Sequence, residues 1–234
     1  MRYIEETSVM QNMNKRLFRN KLWKALFLGA VTIALASLVI LLYRIVTQGA
    51  DYLTWDFMTN FASRFPEQAG IKAALVGSLW LMLVVAPVSM TLGIGTAIYL
   101  EEYAKKNKLN DFIRMNISNL AGVPSIVFGL LGLTIFVRML DLGKSVLAAG
   151  LTMSLLILPV IIVASQEAIR AVPKEQREAS FGMGATKWQT IVRVVLPAAI
   201  PGILTGSILA LSRAIGETAP LVVIGIPVIL QFLP

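Results

Sequence analysis

Five stretches of this chain contain no charged side chain: Ala25–Tyr43, Ala73–Leu100, Met115–Val137, Ser145–Gln166 and Val194–Ser212, of 19, 28, 23, 22 and 19 residues. About 20 apolar residues in a helix cross ~30 Å of hydrocarbon. None of the runs alternates apolar and polar residues as a barrel wall would, whereas helices satisfy their own backbone hydrogen bonds in lipid. The expectation is an all-α, polytopic bundle with five full spans. Composition agrees. Of 234 residues 56% are hydrophobic and 15% charged, against roughly 25% charged in a soluble domain, so soluble and disordered chains are excluded. The sequence has no Cys and no His, which removes disulfides, thiol or imidazole catalysis and most zinc chemistry.

Lys15, Arg16, Arg19, Lys21 and Lys24 precede the first run, and Ala34-Leu35-Ala36 resembles a signal cleavage site. The apolar stretch exceeds the roughly 7–15 residues of a signal core, so it reads as an uncleaved anchor. Lys and Arg number six in Met1–Lys24, four in Glu101–Arg114 and five in Glu167–Arg193, but two each in Thr47–Lys72 and Arg138–Lys144. That bias places the N-terminus and the three richer segments in the cytoplasm. The net charge of +8 is therefore topological, and nucleic acid is not an expected partner. The division expected is a cytoplasmic arm over 1–24, a membrane domain over 25–216 that includes a cytoplasmic loop at 167–196, and an apolar stub over 217–234. Thr218–Pro234 has 17 uncharged residues interrupted by Gly225 and Pro227, short for a span, and reads as an incomplete, truncated sixth.

The outer loop Asp51–Gly70 carries Tyr52, Trp55, Phe57, Phe61 and Phe65; it fits an interfacial aromatic belt, or a short amphipathic helix against an external partner. Within Glu101–Asn119, Leu109, Phe112 and Ile113 are spaced as one face of a helix lying along the membrane. In the loop Glu167–Leu196, Pro173 suits the first turn of a helix continuing through Lys174–Phe181. Gly182 and Gly184 permit a reversal, and Thr186 can cap a second helix over Lys187–Val195, with Pro197 opening the next span. The product is a projecting knob. Small Ala179 and Ser180 let another surface approach it, and Lys174, Arg177 and Lys187 keep it soluble.

Glu178-Ala179-Ser180, three residues, Gly184, nine residues, Val194, one residue and Leu196-Pro197 resemble the EAA loop of bacterial ABC-importer permeases, with Ser for the second Ala and Val for Ile. Ala121-Gly-Val-Pro-Ser-Ile-Val-Phe-Gly129 and Leu211-Ser-Arg-Ala-Ile-Gly-Glu-Thr-Ala-Pro-Leu221 resemble signature stretches of phosphate permeases, and the latter, with Phe61-Ala-Ser-Arg-Phe-Pro66, is similar to their PstA-type family. The resemblance implies a type I importer permease fold, MetI-like, for which six spans are usual, in the bacterial inner membrane. It implies half of a phosphate path, shared with a PstC-type sibling and fed by an extracytoplasmic phosphate-binding protein. It also implies docking of Glu178, Ala179, Ser180 and Gly184 on a cytoplasmic ABC ATPase present in two copies, which holds the ATP and Mg. Besides membrane lipid no cofactor is expected on this chain, and no metal or catalytic residue. No Gly-x-x-x-x-Gly-Lys-Ser/Thr occurs, so nucleotide belongs to another chain.

Arg213 is the basic residue embedded in the last apolar segment, between its midplane and its outer edge at 1.5 Å per residue. Glu217 falls four residues later on the same helical face and can neutralise it. The pair either fixes helix packing or lines the path, where Arg213 offers a forked donor to an oxyanion while Glu217 holds it back until the path opens. Ser125, with Pro124 and Gly122, opens the third span and serves either close packing or the path. Pro87 and Pro159 read as kinks. A permease for sulfate or molybdate, or a membrane-embedded enzyme or sensor, are the competing readings; the enzyme lacks a second buried carboxylate or a metal-ligand cluster.

Overall fold

The computed structural model describes residues 6–65, 68–105 and 107–225. The chain divides into two compact units, Met1–Met58 and Thr59–Pro234. In the first, α1 runs Glu6–Gly49 as one helix of 44 residues, so most of the arm expected at 1–24 continues the first span. From Lys15 its side chains are exposed and, across Ala25–Tyr43, apolar on all sides, the surface a helix presents to lipid. A 3-10 turn (Ala50–Tyr52) and the short α2 (Trp55–Thr59) follow. In the second unit, Lys72 stands over the half-buried Phe61 ring at 5.2 Å.

The membrane bundle of the second unit is built around α6 (Val146–Arg170). Against it pack α3 (Lys72–Ile98), α5 (Ser125–Gly132) and α9 (Leu196–Gly216). One core joins Leu81 and Val85 of α3, Phe128 of α5, Met153, Ile157 and Ile161 of α6, and Ala210 and Ala214 of α9. A second, nearer the other end of α6, joins Ala97, Ile169, Val195, Ala199 and Ile203. Helices gain nothing from burying apolar surface against one another in lipid, so they associate by close approach of small residues. A Cβ on Gly206 would lie 2.5 Å from Ala164 Cβ, one on Gly202 would lie 2.9 Å from Ala168 Cβ, and one on Gly93 would lie 2.6 Å from Ile161 Cγ2. Gly206→Ala should therefore cost about 1–3 kcal/mol, read as a lowered Tm in detergent, and Ala164→Gly should restore it. An unchanged Tm in the single variant contradicts this interface.

Among the described residues, four helical segments are long and apolar enough to cross a membrane, and a fifth passes as a bent pair. The bent pair occupies the third uncharged run. Rather than one helix over Met115–Val137, there are α4 (Lys108–Leu120) and α5, which continues through a π-helical stretch to Met139, bent by 104°. Turns close at Gly122 and Val123, and Pro124 adopts φ −56°, ψ 135°. Proline disfavours helical backbone in the residue before it and donates no hydrogen bond, so α5 starts at Ser125. In α4, Leu109 and Phe112 are exposed, as a membrane-surface helix requires, while Arg114 turns inward.

The knob has the expected corner but a different second arm. α7 covers Lys174–Gly182, with Pro173 as its cap rather than in its first turn. α8 (Lys187–Thr190) passes through a π-helical turn (Ile191–Val195) directly into α9, one helical segment over Lys187–Gly216. Pro197 does not start a separate helix: it falls in the first turn of α9, directly after the π-helical turn and within the continuous segment. α9 ends at Gly216, Glu217 is extended, and α10 (Ala219–Ile224) packs on α5. The remainder of the expected stub, 226–234, lies outside the described residues.

Candidate functional site: a docking knob and a mid-depth arginine

The corner between α7 and α8 is set by Gly184, whose φ is +80°. Ala185 N donates to Ser180 O at 3.2 Å and Gly184 N to Phe181 O at 2.9 Å, the Schellman pattern that ends a helix on a left-handed residue. Gly182, by contrast, is the last residue of α7 and right-handed. Thr186 and Gln189 then form a reciprocal capping box at the start of α8. Such a box satisfies two otherwise orphaned N–H groups. Glu178, Ala179 and Gly184 are exposed. Ser180 is not part of that face: it is half-buried, with its Oγ 2.9 Å from Thr190 Oγ1. The departure from Ala in the motif thus staples α7 to α8 and does not open room for a partner. Phe181, Met183 and Trp188 were not anticipated; they are 49%, 88% and 64% exposed. Together they give the knob an exposed apolar tip.

Arg177, expected to solvate the knob, is instead half-buried against the bundle, while Lys187 stays exposed as expected. Arg177 Nη1 lies 3.1 Å from Glu102 Oε1, and Nη2 donates to Ile169 O at 2.7 Å. The contact with Glu102 is an ion pair without hydrogen-bond alignment, since Glu102 Oε1 and Arg177 Nε are both buried with no hydrogen-bond partner. Lys187 Nζ stands 5.0 Å from the centroid of the Tyr103 ring. Beside them Glu101 gathers three elements. Arg170 of α6 donates Nε to its Oε2 at 3.0 Å and Nη2 to its Oε1 at 2.8 Å. Gln166 donates to Oε1 at 3.0 Å, and Arg114 of α4 pairs with the same oxygen while also donating to Leu100 O. Sequence reasoning missed this cluster. Its one signal was an acidic pair closing an apolar run on the side where the arginines accumulate.

The depth of Arg213 follows from helix pairing. Gly206 faces Ala164 and Gly202 faces Ala168, so each step forward along α9 is a step back along α6. Arg213 is then level with Ile157, next to the midpoint of Val146–Arg170, deeper than the sequence suggested. Ala210 and Ala214 turn into the core while Arg213 is exposed, facing away from α6. Gly132 meets Thr152, which by the same count brings Ser125, half-buried, level with Pro159. Glu217 comes level with Met153, at the break between α9 and α10, and Pro220 Cα lies 2.9 Å from where a Cβ on Gly129 would be. By this count Arg213 and Ser125 lie about 3 Å apart in depth, and all three candidate path residues fall within about 9 Å. The expected Arg213–Glu217 pair is not formed: among the described residues no ion pair includes either, because Glu217 leaves the helical face when α9 ends. Non-helical backbone at membrane depth persists only inside protein or beside water. A lipid-depth cavity between α3, α6 and Phe136 is lined by Val88, Ser89, Leu92 and Leu155. Its two lining hydroxyls are taken up within their own helices, Ser89 donating to Val85 O and Ser154 to Gly150 O. Among the described residues no three acidic side chains are grouped to hold a metal ion.

Residues 89–232 match the family described as binding-protein-dependent transport system inner membrane component. The chain is 36% identical over 209 residues to the probable ABC transporter permease protein YqgI of Bacillus subtilis, covering 89% of this chain and 71% of that protein. It is 39% identical over 217 residues to the phosphate transport system permease protein PstA of Mycobacterium leprae (90% and 70% covered), and 33% over 222 residues to that of Yersinia pestis (92% and 75%). Among solved structures, an inward-facing form of the MetNI methionine ABC transporter superposes with a TM-score of 0.57 at 19% identity, over 64% of this chain and 71% of that one, a likeness of fold. The family match spans the third apolar run, the whole knob and the Arg213 break. The chain belongs to the binding-protein-dependent transport system inner membrane components, the multi-pass permease subunits of ABC importers.

Proposed function

We propose that this chain is the PstA-type permease subunit of an ATP-driven phosphate importer in the bacterial plasma membrane, with its N-terminus in the cytoplasm. It supplies half of the path and a PstC-type sibling the other half. Two copies of a cytoplasmic ATPase bind the ATP and Mg, and an extracytoplasmic phosphate-binding protein delivers the cargo. The observation that carries the reading is Arg213: a guanidinium halfway along the bundle, exposed, with no ion-pair partner among the described residues. An unpaired Arg at the centre of a bilayer costs roughly 2.5–3.5 kcal/mol or more, so a water-filled path is its natural surrounding. There its planar fork matches a phosphate edge with two charge-assisted hydrogen bonds. Ser125 at nearly the same depth adds a hydroxyl, and Glu217, just past the end of α9, lies beside the path without pairing to Arg213. Relatives named as phosphate permeases favour this anion over sulfate or molybdate.

The motor end is Glu178, Ala179 and Gly184 with the apolar tip. Because α8 continues into α9, tilting the knob turns the helix that carries Arg213. Met183→Glu is expected to lower co-purification of the ATPase about ten-fold or more, the scale of an interface residue worth over 1 kcal/mol; full recovery contradicts the docking role. The activity is tested by proteoliposomes holding both permeases and the ATPase, with binding protein added outside. ATP-dependent accumulation of phosphate is expected. Accumulation of sulfate or molybdate in its place reassigns the cargo, and hydrolysis without any anion uptake contradicts the transport reading.

A further inference from the structure

We infer that the π-helical turn Tyr99–Tyr103, at the cytoplasmic end of α3, is the element that receives the motion of the knob, through Arg177 on Glu102 and Lys187 on Tyr103. The inference rests on the proposed coupling of the knob to an ATPase and names where that motion enters the bundle. Chain continuity alone carries it only into α6 and α9. Yet consecutive residues of this one turn reach α4, α6, α7 and α8. Glu101 holds Arg170 and Gln166 of α6 and Arg114 of α4. Glu102 meets Arg177 of α7 at 3.1 Å, and Tyr103 lies under Lys187 of α8 at 5.0 Å. Both arms of the knob therefore grip the same turn.

The two kinds of contact differ in how they can move. Glu101 is held by bidentate Arg170, a geometry that fixes orientation, so α3, α4 and α6 are locked as one body. The Arg177–Glu102 pair is loosely aligned. Glu102 Oε1 and Arg177 Nε are buried without a hydrogen-bond partner, so a small shift of α7 brings a better-aligned pair within reach. An ammonium over a ring keeps its attraction through lateral displacement. A π-helical turn adds a residue to the helical repeat and is a frequent functional feature inside α-helices; here the turn ends at Ala104 in extended backbone. Arg177 and Lys187 are positioning residues by this account, and Glu102 and Tyr103 their receivers. Ala104 and Lys105 lie outside the helix, so the turn is the last rigid part of α3 that the knob can push.

The test uses the whole transporter in proteoliposomes and reads two quantities together, binding-protein-stimulated ATP hydrolysis and phosphate accumulated per ATP. Glu102→Gln is expected to leave assembly and hydrolysis near the wild-type level while lowering phosphate per ATP about ten-fold, toward the low end of usual coupling strengths. Exchanging the charges, Glu102→Lys with Arg177→Glu, is expected to recover most of the ratio. Tyr103→Phe keeps the ring and should couple normally, whereas Tyr103→Leu should not. Loss of hydrolysis together with uptake, or an unchanged ratio in Glu102→Gln and Tyr103→Leu, overturns the inference. Wild-type transporter that hydrolyses ATP but takes up no phosphate overturns the phosphate reading instead, and the ratio is then read with the anion it does carry.

Discussion

Arg213→Gln is expected to lower phosphate uptake about 10- to 100-fold, the range for losing a charge-assisted hydrogen bond, while the complex assembles and hydrolyses ATP. The separation of these readouts follows from the absence of an Arg213–Glu217 ion pair. Had Arg213 been the packing partner of Glu217, its loss would strand a carboxylate at membrane depth, and assembly would fail with transport. Arg213 instead faces away from α6 while Ala210 and Ala214 hold the helix contact, so the core keeps its packing. Arg213→Lys should recover uptake only partly, because an ammonium retains the charge but not the two-pronged fork. Uptake assays beside size-exclusion profiles of the purified complex decide the matter. Normal flux in Arg213→Gln removes this residue from the path, and loss of assembly returns it to the packing role.

The second large effect belongs to Gly184. At φ +80° a β-branched residue is strained, and left-handed backbone costs an L-residue about 1–2 kcal/mol, a factor of roughly 5–30 in the population of the correct corner. Nothing lies within 4 Å of a Cβ placed there, so backbone strain, not a clash, is what a substitution meets. Gly184→Val should therefore cut ATP-coupled uptake by that factor or more, and Gly184→Asn, which tolerates the left-handed region, should largely spare it. Membrane insertion should be normal in both, since the corner lies outside every span. Equal loss in the two variants would mean that the bare surface of glycine, and not its backbone, is what the partner needs.

Much of this was legible in the sequence, and the exceptions share a cause. Uncharged runs delimit spans well because lipid excludes charge. They are blind to a bend inside a run, so Met115–Val137 read as one helix although Gly122 and Pro124 were in plain view. Capping rules predicted the Thr186 start, and a glycine corner was expected at Gly182 and Gly184, of which only Gly184 is left-handed. Rotation about a helix axis is a different matter. Arg177 and Ser180 read as outward-facing because nothing within α7 shows that Glu102 and Thr190 lie against it. Glu101 and Arg170 are 69 residues apart, and only the packing of α3 on α6 brings them together. The depth of Arg213 likewise waited on the pairing of Gly202 and Gly206 with Ala168 and Ala164. The chain's own backbone preferences were readable; what one helix sees of the next was not.

Because the sequence contains no cysteine, a single Cys placed at Ala179 gives a clean probe of what the knob touches. In native membranes with the transporter's ATPase subunit carrying a cysteine-reactive crosslinker, the account predicts an adduct between this chain and the ATPase, formed from the cytoplasmic side and changing in yield when ATP is added. Labelling of that cysteine by an impermeant reagent from the outer face, with no adduct to the ATPase, would contradict it.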